Sequence, residues 1–214
     1  MKKKLVYKVI SIFIIFFSIT LLSACSDNDN NDDDYNINDA PLTQTITEID
    51  EAALLFMLEE EKLARDTYIY LNNLWSINQF ANIQKSEQSH MNAVENLLIK
   101  YNITYSILPS GEFKNPDLQN LYNKFIVDGK INQANALQIG ATIEDLDIVD
   151  LETHIDASND AEIISVFESL QCGSRNHLRS FVSNIEKGGD TYTPQFLTKD
   201  AYNTIISSSN EKCN

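Results

Sequence analysis

The amino-acid sequence predicts an all-α protein built as a four-helix bundle. Four long segments carry apolar residues at alternating spacings of three and four, the pattern of a helix with one face toward a core. No stretch shows a sustained alternation of apolar and polar residues at a period of two, which half-buried strands would require. The 214 residues suffice for one such domain with terminal appendages.

The first two predicted helices form a pair that begins near residue 47. Thr47 and Asp50 have the spacing of a capping box, with Asp in place of the usual Glu or Gln. The inward face of the first helix consists of Leu54, Met57, Glu61, Ala64, Tyr68, Leu71 and Trp75. The inward face of the second helix consists of Phe80, Ile83, Glu87, His90, Val94, Leu97 and Tyr101.

The third and fourth long helices follow a long crossover, which consists of a loop over residues 102–115 and a short helix over residues 116–128. The third helix turns inward Leu137, Gly140, Glu144, Asp147, Leu151 and His154. The fourth turns inward Ile163, Phe167, Leu170, Ser174, His177, Phe181 and Ile185. Gly188 and Gly189 end the fourth helix, and residues 197–206 predict a short C-terminal helix.

Acidic and imidazole side chains interrupt the apolar faces near the centre of each long helix. They are Glu61, Glu87, His90, Glu144 and His177. A buried carboxylate must be paired, protonated or bound to a metal ion. Glu87 and His90 are three residues apart on one helical face and can reach a common ion. Two interpretations remain open: a metal site, or a salt-bridge network completed by Arg65, Arg175 or Arg179.

Glutamates that lie off the inward faces are expected to be solvated, among them Glu59 and Glu60. His154 lies ten residues beyond Glu144, about 15 Å along a helix. It is therefore expected to be a core or interface histidine rather than a ligand of the same site.

Several of these motifs resemble those of a known protein class. The run from Glu61 to Tyr68 resembles the Glu-x-x-Ala-Arg-x-x-Tyr motif of the first rubrerythrin helix, and Glu87-x-x-His90 resembles the motif of the second. The segments around Glu144 and His177 are similar to the third and fourth helices. More narrowly, Glu-Glu-Lys-Leu-Ala-Arg-Asp, the acidic run 144–152 and Gly-Ser-Arg-Asn-His-Leu-Arg identify the chain as a member of a ferritin-like family, domain of unknown function 2202.

The resemblance implies a ferritin-like antiparallel bundle over residues 45–208, followed by a tail at 209–214. It also implies a di-iron carboxylate site whose ligands are Glu61, Glu87, His90, Glu144 and His177. Tyr68 is implied as a hydrogen-bonding neighbour of the ligands. The implied cofactor is one or two iron ions, with manganese or zinc as the other divalent candidates.

The fourth helix departs from the family pattern because it offers Ser174-x-x-His177 where a Glu-x-x-His motif is expected. A neutral hydroxyl therefore replaces a carboxylate ligand. Asp147 can supply the missing carboxylate, or Arg175 can occupy that volume and exclude the metal. The sequence leaves both outcomes open.

Two functions of different kinds follow. The first is a metal-binding oxidoreductase of ferroxidase or peroxidase type, which needs an external redox partner because the chain has no rubredoxin-like Cys-x-x-Cys pair. The second is a non-enzymatic, surface-anchored interaction module with a degenerate metal site. The sequence leaves open whether two bundles form a homodimer. The formal net charge of −15 argues against nucleic-acid binding.

The N-terminal residues predict export and lipid anchoring. Four lysines, an apolar run at 9–22 and the sequence Leu-Ser-Ala before Cys25 predict a signal peptide over residues 1–24. The apolar run is shorter than the roughly 20 residues of a membrane-spanning helix, and its end resembles the bacterial lipobox, which makes Cys25 the lipidated residue. Residues 25–44 are expected to form a disordered acidic tether. The expected location is the bacterial cell envelope, at the outer membrane, with surface exposure left open.

The two remaining cysteines are Cys172 and Cys213. The predicted exported compartment is oxidising and favours a disulfide, which would pin the C-terminal segment to the fourth long helix. Two free thiols are the alternative.

Overall fold

The computed structural model describes residues 46–213 and contains no strand in that range. The all-α prediction is confirmed for this part of the chain. Its six helices are α1 (Glu48–Trp75), α2 (Asn78–Lys100), α3 (Pro116–Gly129), α4 (Gln133–Ala157), α5 (Ala161–Lys187) and α6 (Lys199–Ser207). The two short helices lie within two residues of their predicted ends.

The predicted signal peptide, the lipidated Cys25 and the acidic tether at 25–44 lie outside the described residues. Within residues 46–213, no helix combines the length and the apolar character needed to cross a membrane.

The capping box at the start of α1 forms as the sequence predicts. The hydroxyl of Thr47 accepts a hydrogen bond from the Asp50 N–H at 3.1 Å, and the Asp50 carboxylate accepts one from the Thr47 N–H at 3.3 Å. The same carboxylate accepts a hydrogen bond from the Ser158 hydroxyl at 2.6 Å. Because Ser158 caps the C-terminus of α4, this contact fixes the start of α1 beside the end of α4.

The four long helices pack with antiparallel neighbours. Short connections join α1 to α2 and α4 to α5. The Phe80 and Phe181 rings lie 5.4 Å apart at one end of the α2–α5 pair, and Lys100 pairs with Glu162 at the other end. The helices enclose two separate apolar clusters, one toward each end. Polar side chains occupy the level at which these clusters meet.

The crossover between α2 and α4 is anchored to α1 by a buried lysine. The Lys62 ammonium group donates to the Asp66 carboxylate at 2.6 Å and to the carbonyls of Pro109 and Glu112 at 3.0 Å. It also lies 4.2 Å from the centroid of the Phe113 ring. All three ammonium protons are used, so this lysine can be buried without an unpaired charge.

The segment after α5 is held by a second buried charge. The Asp145 carboxylate accepts hydrogen bonds from the Tyr192 hydroxyl and from the backbone N–H groups of Gln195, Phe196 and Leu197, at 2.5–3.2 Å. Four donors compensate the loss of water around this fully buried group.

The C-terminal tail is fastened to the outer face of α5. A disulfide joins Cys172 to Cys213, with 5.6 Å between their Cα atoms. The structure thus has the bonded form of the two alternatives that the sequence left open. The Glu211 carboxylate adds ion pairs to Arg175 and Arg179 at 2.5 and 2.7 Å.

We expect Asp145→Ala to lower the free energy of unfolding by about 3 kcal/mol, because it removes the shared acceptor of four hydrogen bonds at once, one of them fully buried. Urea denaturation followed by circular dichroism measures this loss. The matched control is Asp156→Ala, an exposed aspartate on the same helix, which should change stability by less than about 0.5 kcal/mol. Equal effects of the two substitutions would contradict the role given to Asp145.

Candidate metal centre

Helical periodicity brings all five predicted ligands to one level of the interior. The Glu61, Glu87 and Glu144 side chains are 1–2% exposed. The His90 and His177 side chains are 12% exposed. Each of the four long helices contributes at least one of these residues.

The five side chains form two overlapping groups of three. In the first group, the Nδ1 atom of His90 lies 3.1 Å from Glu61 Oε2 and 2.8 Å from Glu87 Oε2. In the second group, His177 Nδ1 lies 2.9 Å from Glu87 Oε1 and 3.4 Å from Glu144 Oε2. The potential ligand atoms within each group lie within 4.8 Å of one another. Glu87 belongs to both groups and turns one oxygen toward each imidazole.

Several potential metal-binding atoms of this cluster lack hydrogen-bond partners among residues 46–213. They are Glu61 Oε1, Glu87 Oε1, Asp147 Oδ1 and His177 Nδ1. Glu87 Oε1 and His177 Nδ1 are close to each other but do not have the geometry of a hydrogen bond. Buried polar atoms are rarely left unsatisfied, and an ion is one of the few explanations for such a group.

Asp147 joins the cluster through Ser174. The Ser174 hydroxyl donates a hydrogen bond to Asp147 Oδ2, while the other oxygen of Asp147 has no hydrogen-bond partner in the described part of the chain. Burial, followed by the charges of Glu61 and Glu144, raises the pKa of Asp147 well above its usual value. The serine that interrupts the Glu-x-x-His motif of α5 therefore orients a carboxylate on α4.

The arginines that could have completed a salt-bridge network point elsewhere. Arg65 donates to Asp66 and to the Gln88 side-chain oxygen. Arg175 donates to Glu211 and to the Gln171 side-chain oxygen. The alternative in which Arg175 fills the volume of the missing carboxylate is wrong, because the C-terminal tail draws its guanidinium outward.

Neighbouring side chains fix the orientation of the cluster. The Tyr68 hydroxyl donates to Glu144 Oε1 at 2.5 Å. The Tyr68 ring is itself fixed by contacts with the Phe80 and Phe181 rings, at centroid distances of 5.6 and 5.4 Å. A Cβ atom at Gly173 would lie 2.8 Å from Cε1 and Nε2 of His90, so glycine there leaves room for the imidazole.

Without a metal ion, the cluster is expected to retain protons. Burial raises the pKa of Glu61 to about 8, although His90 opposes this shift. Burial lowers the pKa of His177, but Glu87 and Glu144 outweigh it and raise the value to about 10. Burial raises the pKa of Glu87, yet His177 and His90 outweigh it and hold the value below the usual range.

Glu60 is a polar residue whose exposure was predicted wrongly from the sequence. It was expected at the surface, but its side chain is 2% exposed. Burial, followed by the charges of Asp150 and Asp147, raises its pKa well above the usual value. Glu60 lies three residues from Met57 and from Leu63, which are both buried. A wider inward face for α1, which contacts α2, α3 and α4, would have included it.

The chain matches proteins that have not been characterised. A family model described as an uncharacterized protein domain (DUF2202) matches residues 50–209. The uncharacterized protein MJ0754 of Methanocaldococcus jannaschii is 47% identical over 171 residues, which cover 79% of this chain and 92% of that protein. A crystal structure of the hypothetical protein MJ0754 from Methanococcus jannaschii has a TM-score of 0.77 at 48% identity, covering 78% of this chain and 97% of that chain.

We expect the metal-free protein to lose stability as the pH rises from 6.5 to 8. The pKa of Glu61 rises from 4.5 to about 8 on folding, and that of His177 from 6.5 to about 10. The folded state therefore binds more protons than the unfolded state in this range. The free energy of unfolding should fall by about 1.4 kcal/mol per pH unit for each extra proton.

Urea denaturation of EDTA-treated protein at pH 6, 7 and 8 measures this slope. The Glu61→Gln variant lacks one of the groups that retain a proton on folding and should show a shallower decline. Stability that is constant or rises over this range would contradict the assignment of the retained protons.

Proposed function

This chain is a member of the uncharacterized DUF2202 family, and we propose that it binds two divalent metal ions, iron in particular, at its buried Glu/His centre. The observation that carries the proposal is the position of Glu87. Its two oxygens face two different imidazoles, so one carboxylate belongs to two potential metal sites.

The arrangement of donors along the helices supports a ferritin-like relation. In di-iron and di-manganese carboxylate bundles, two helices each supply a glutamate and two each supply a Glu-x-x-His motif. Here α1 and α4 carry Glu61 and Glu144, and α2 carries Glu87 and His90. On α5, His177 is preceded by Ser174, and we assign the missing carboxylate to Asp147.

The charges of this donor set fit two divalent ions. Glu61, Glu87, Glu144 and Asp147 together carry four negative charges when ionised, which balances two divalent cations. Carboxylate oxygen and imidazole nitrogen are ligands that suit iron, manganese and zinc. No lysine or arginine of residues 46–213 forms an ion pair with these four carboxylates.

We infer an oxidoreductase of ferroxidase or peroxidase type. Non-haem iron supplies one-electron chemistry with dioxygen or peroxide when bound. Glu61, Glu144 and the two histidines would hold the ions, and Tyr68 would keep the Glu144 carboxylate in one orientation. The apolar clusters on both sides of the centre exclude bulk water. Because Cys172 and Cys213 are bonded to each other, electrons would come from a separate reductant.

We expect the purified protein to bind about two Fe(II) ions per chain after anaerobic loading. Glu87→Ala should abolish binding of both ions, because it removes the shared carboxylate. His90→Ala should leave about one ion, because the group formed by Glu87, Glu144 and His177 remains. Metal analysis after desalting measures the stoichiometry, and Fe(II) should also raise the melting temperature by mass action.

The matched control is Glu168→Ala, which removes an exposed carboxylate of α5 and should leave Fe(II) binding unchanged. Equal uptake by wild type and Glu87→Ala would defeat the proposal. A melting temperature that is insensitive to Fe(II), Mn(II), Zn(II) and EDTA would favour the other candidate, a non-enzymatic anchored module.

We also propose that the protein is exported and lipid-anchored at the bacterial cell envelope. The predicted signal peptide and Cys25 are the basis for this location. The disulfide between Cys172 and Cys213 supports it, because disulfides persist in oxidising compartments.

We expect cells that produce the protein and grow with an alkyne-tagged fatty acid to yield a labelled protein in the membrane fraction. Cys25→Ser should abolish the label, whereas Cys213→Ser should retain it. Label on the Cys25→Ser variant, or none on wild type, would contradict the anchoring prediction.

A further inference from the structure

A second pair of carboxyl groups lies between α1 and α4, next to the metal centre. The Glu60 side chain neighbours the Asp150 side chain closely enough for each carboxyl group to influence the pKa of the other. Neither oxygen of Glu60 receives a hydrogen bond from any donor in residues 46–213, and the side chain is 2% exposed. A buried carboxyl group without a donor, next to a second carboxyl group, needs a proton or a cation to offset its charge.

The pair belongs to a column of potential ligands along α4. Asp147, Asp150 and His154 are spaced by three and four residues and so lie on one face of the helix. Asp147 is buried, whereas Asp150 and His154 are half-buried. The charge of Asp150 acts on His154 on one side and on Glu60 on the other. The column therefore runs from the buried centre toward the surface.

A solvent-accessible cavity meets the outer end of this column. It has a volume of about 690 Å³, and its wall includes Phe56, Glu59, Tyr105 and His154. The Phe56 ring packs against the His154 imidazole at 5.5 Å. His154 lines this cavity and lies one helical turn from Asp150.

We propose that Glu60 and Asp150 form a cation subsite that passes divalent metal ions from the His154 cavity to the buried centre. This inference rests on the proposed metal binding, because it assigns a route to that centre. Successive donors along α4 differ by about 4.5–6 Å in height, a short step for an ion. The Glu60–Asp150 pair offers two side chains to an ion, whereas each group of the metal centre offers three. Fewer ligands suit the transfer of an ion rather than its retention.

The test is the rate at which the full-length protein takes up Co(II), followed by stopped-flow visible absorption. The test variant Glu60→Gln/Asp150→Asn removes the pair while keeping the side-chain shapes. The control variant Glu51→Gln/Asp156→Asn makes the same charge change at exposed positions on the same two helices. We expect the test variant to load at least about tenfold more slowly than the control, with the same final Co(II) content.

Three results would overturn the subsite. Equal loading rates for both double variants would place the route elsewhere, for example past the partly exposed edges of His90 and His177. A lower final Co(II) content in the test variant would make the pair part of the centre itself. Failure of wild type to bind Co(II), Fe(II) or Mn(II) would defeat the metal centre as well, which separates that failure from the first two.

A second variant keeps the proposal testable if the double substitution does not fold. His154→Ala changes the wall of the cavity without touching the buried carboxylates, and we expect it to slow Co(II) loading too. Unchanged loading in a folded His154→Ala protein would contradict entry through this cavity. Melting temperatures of all variants show which of them are folded.

Discussion

The arrangement of this domain depends on compensating the negative charge that four helices bring to one dry level. Each buried carboxylate costs several kcal/mol unless a partner offsets the loss of water. Elsewhere in the fold, other groups of the protein act as these partners. Four donors surround Asp145, and Lys62 neutralises Asp66. At the centre, the partners are two imidazoles shared among three glutamates, and several oxygens have no hydrogen-bond partner within residues 46–213. The contrast between these fully satisfied sites and the centre is the observation that motivates the proposed metal binding.

The sequence predicted the Glu/His cluster because its residues obey the same period as the core. Glu61, Glu87 and Glu144 replace apolar residues on inward faces, so a helical repeat places them correctly without any tertiary information. The boundaries of the helices were predictable for a similar reason, since Thr47 and Gly188 mark the ends of α1 and α5 through local backbone geometry. Local rules therefore account for the elements and for most of the candidate site.

What the sequence could not predict are the contacts that depend on neighbouring helices and on the tail. Glu60 lies beside the predicted inward face of α1 and is buried in the assembled bundle, where Asp147 and Asp150 of α4 act on its pKa. The direction of Arg175 was undetermined because its partner, Glu211, is 36 residues away in the chain. The role of Ser174 was undetermined for the same reason. It stands where the family pattern has a glutamate, and its hydrogen bond orients the Asp147 carboxylate of α4. These are tertiary contacts between residues that no periodic pattern relates.

The bonded tail has an electrostatic consequence for the interior. Arg175 adjoins Ser174 in the chain, and its guanidinium is kept at the surface by Glu211, which the nearby disulfide holds in place. A chain cleaved before Glu211 would leave Arg175 and Arg179 without this counter-ion, and Arg175 would then be next in the chain to a residue that contacts the buried Asp147. The last few residues thus neutralise two arginines at the rim of the bundle, so that these cations pair with the tail and not with the inward-facing carboxylates.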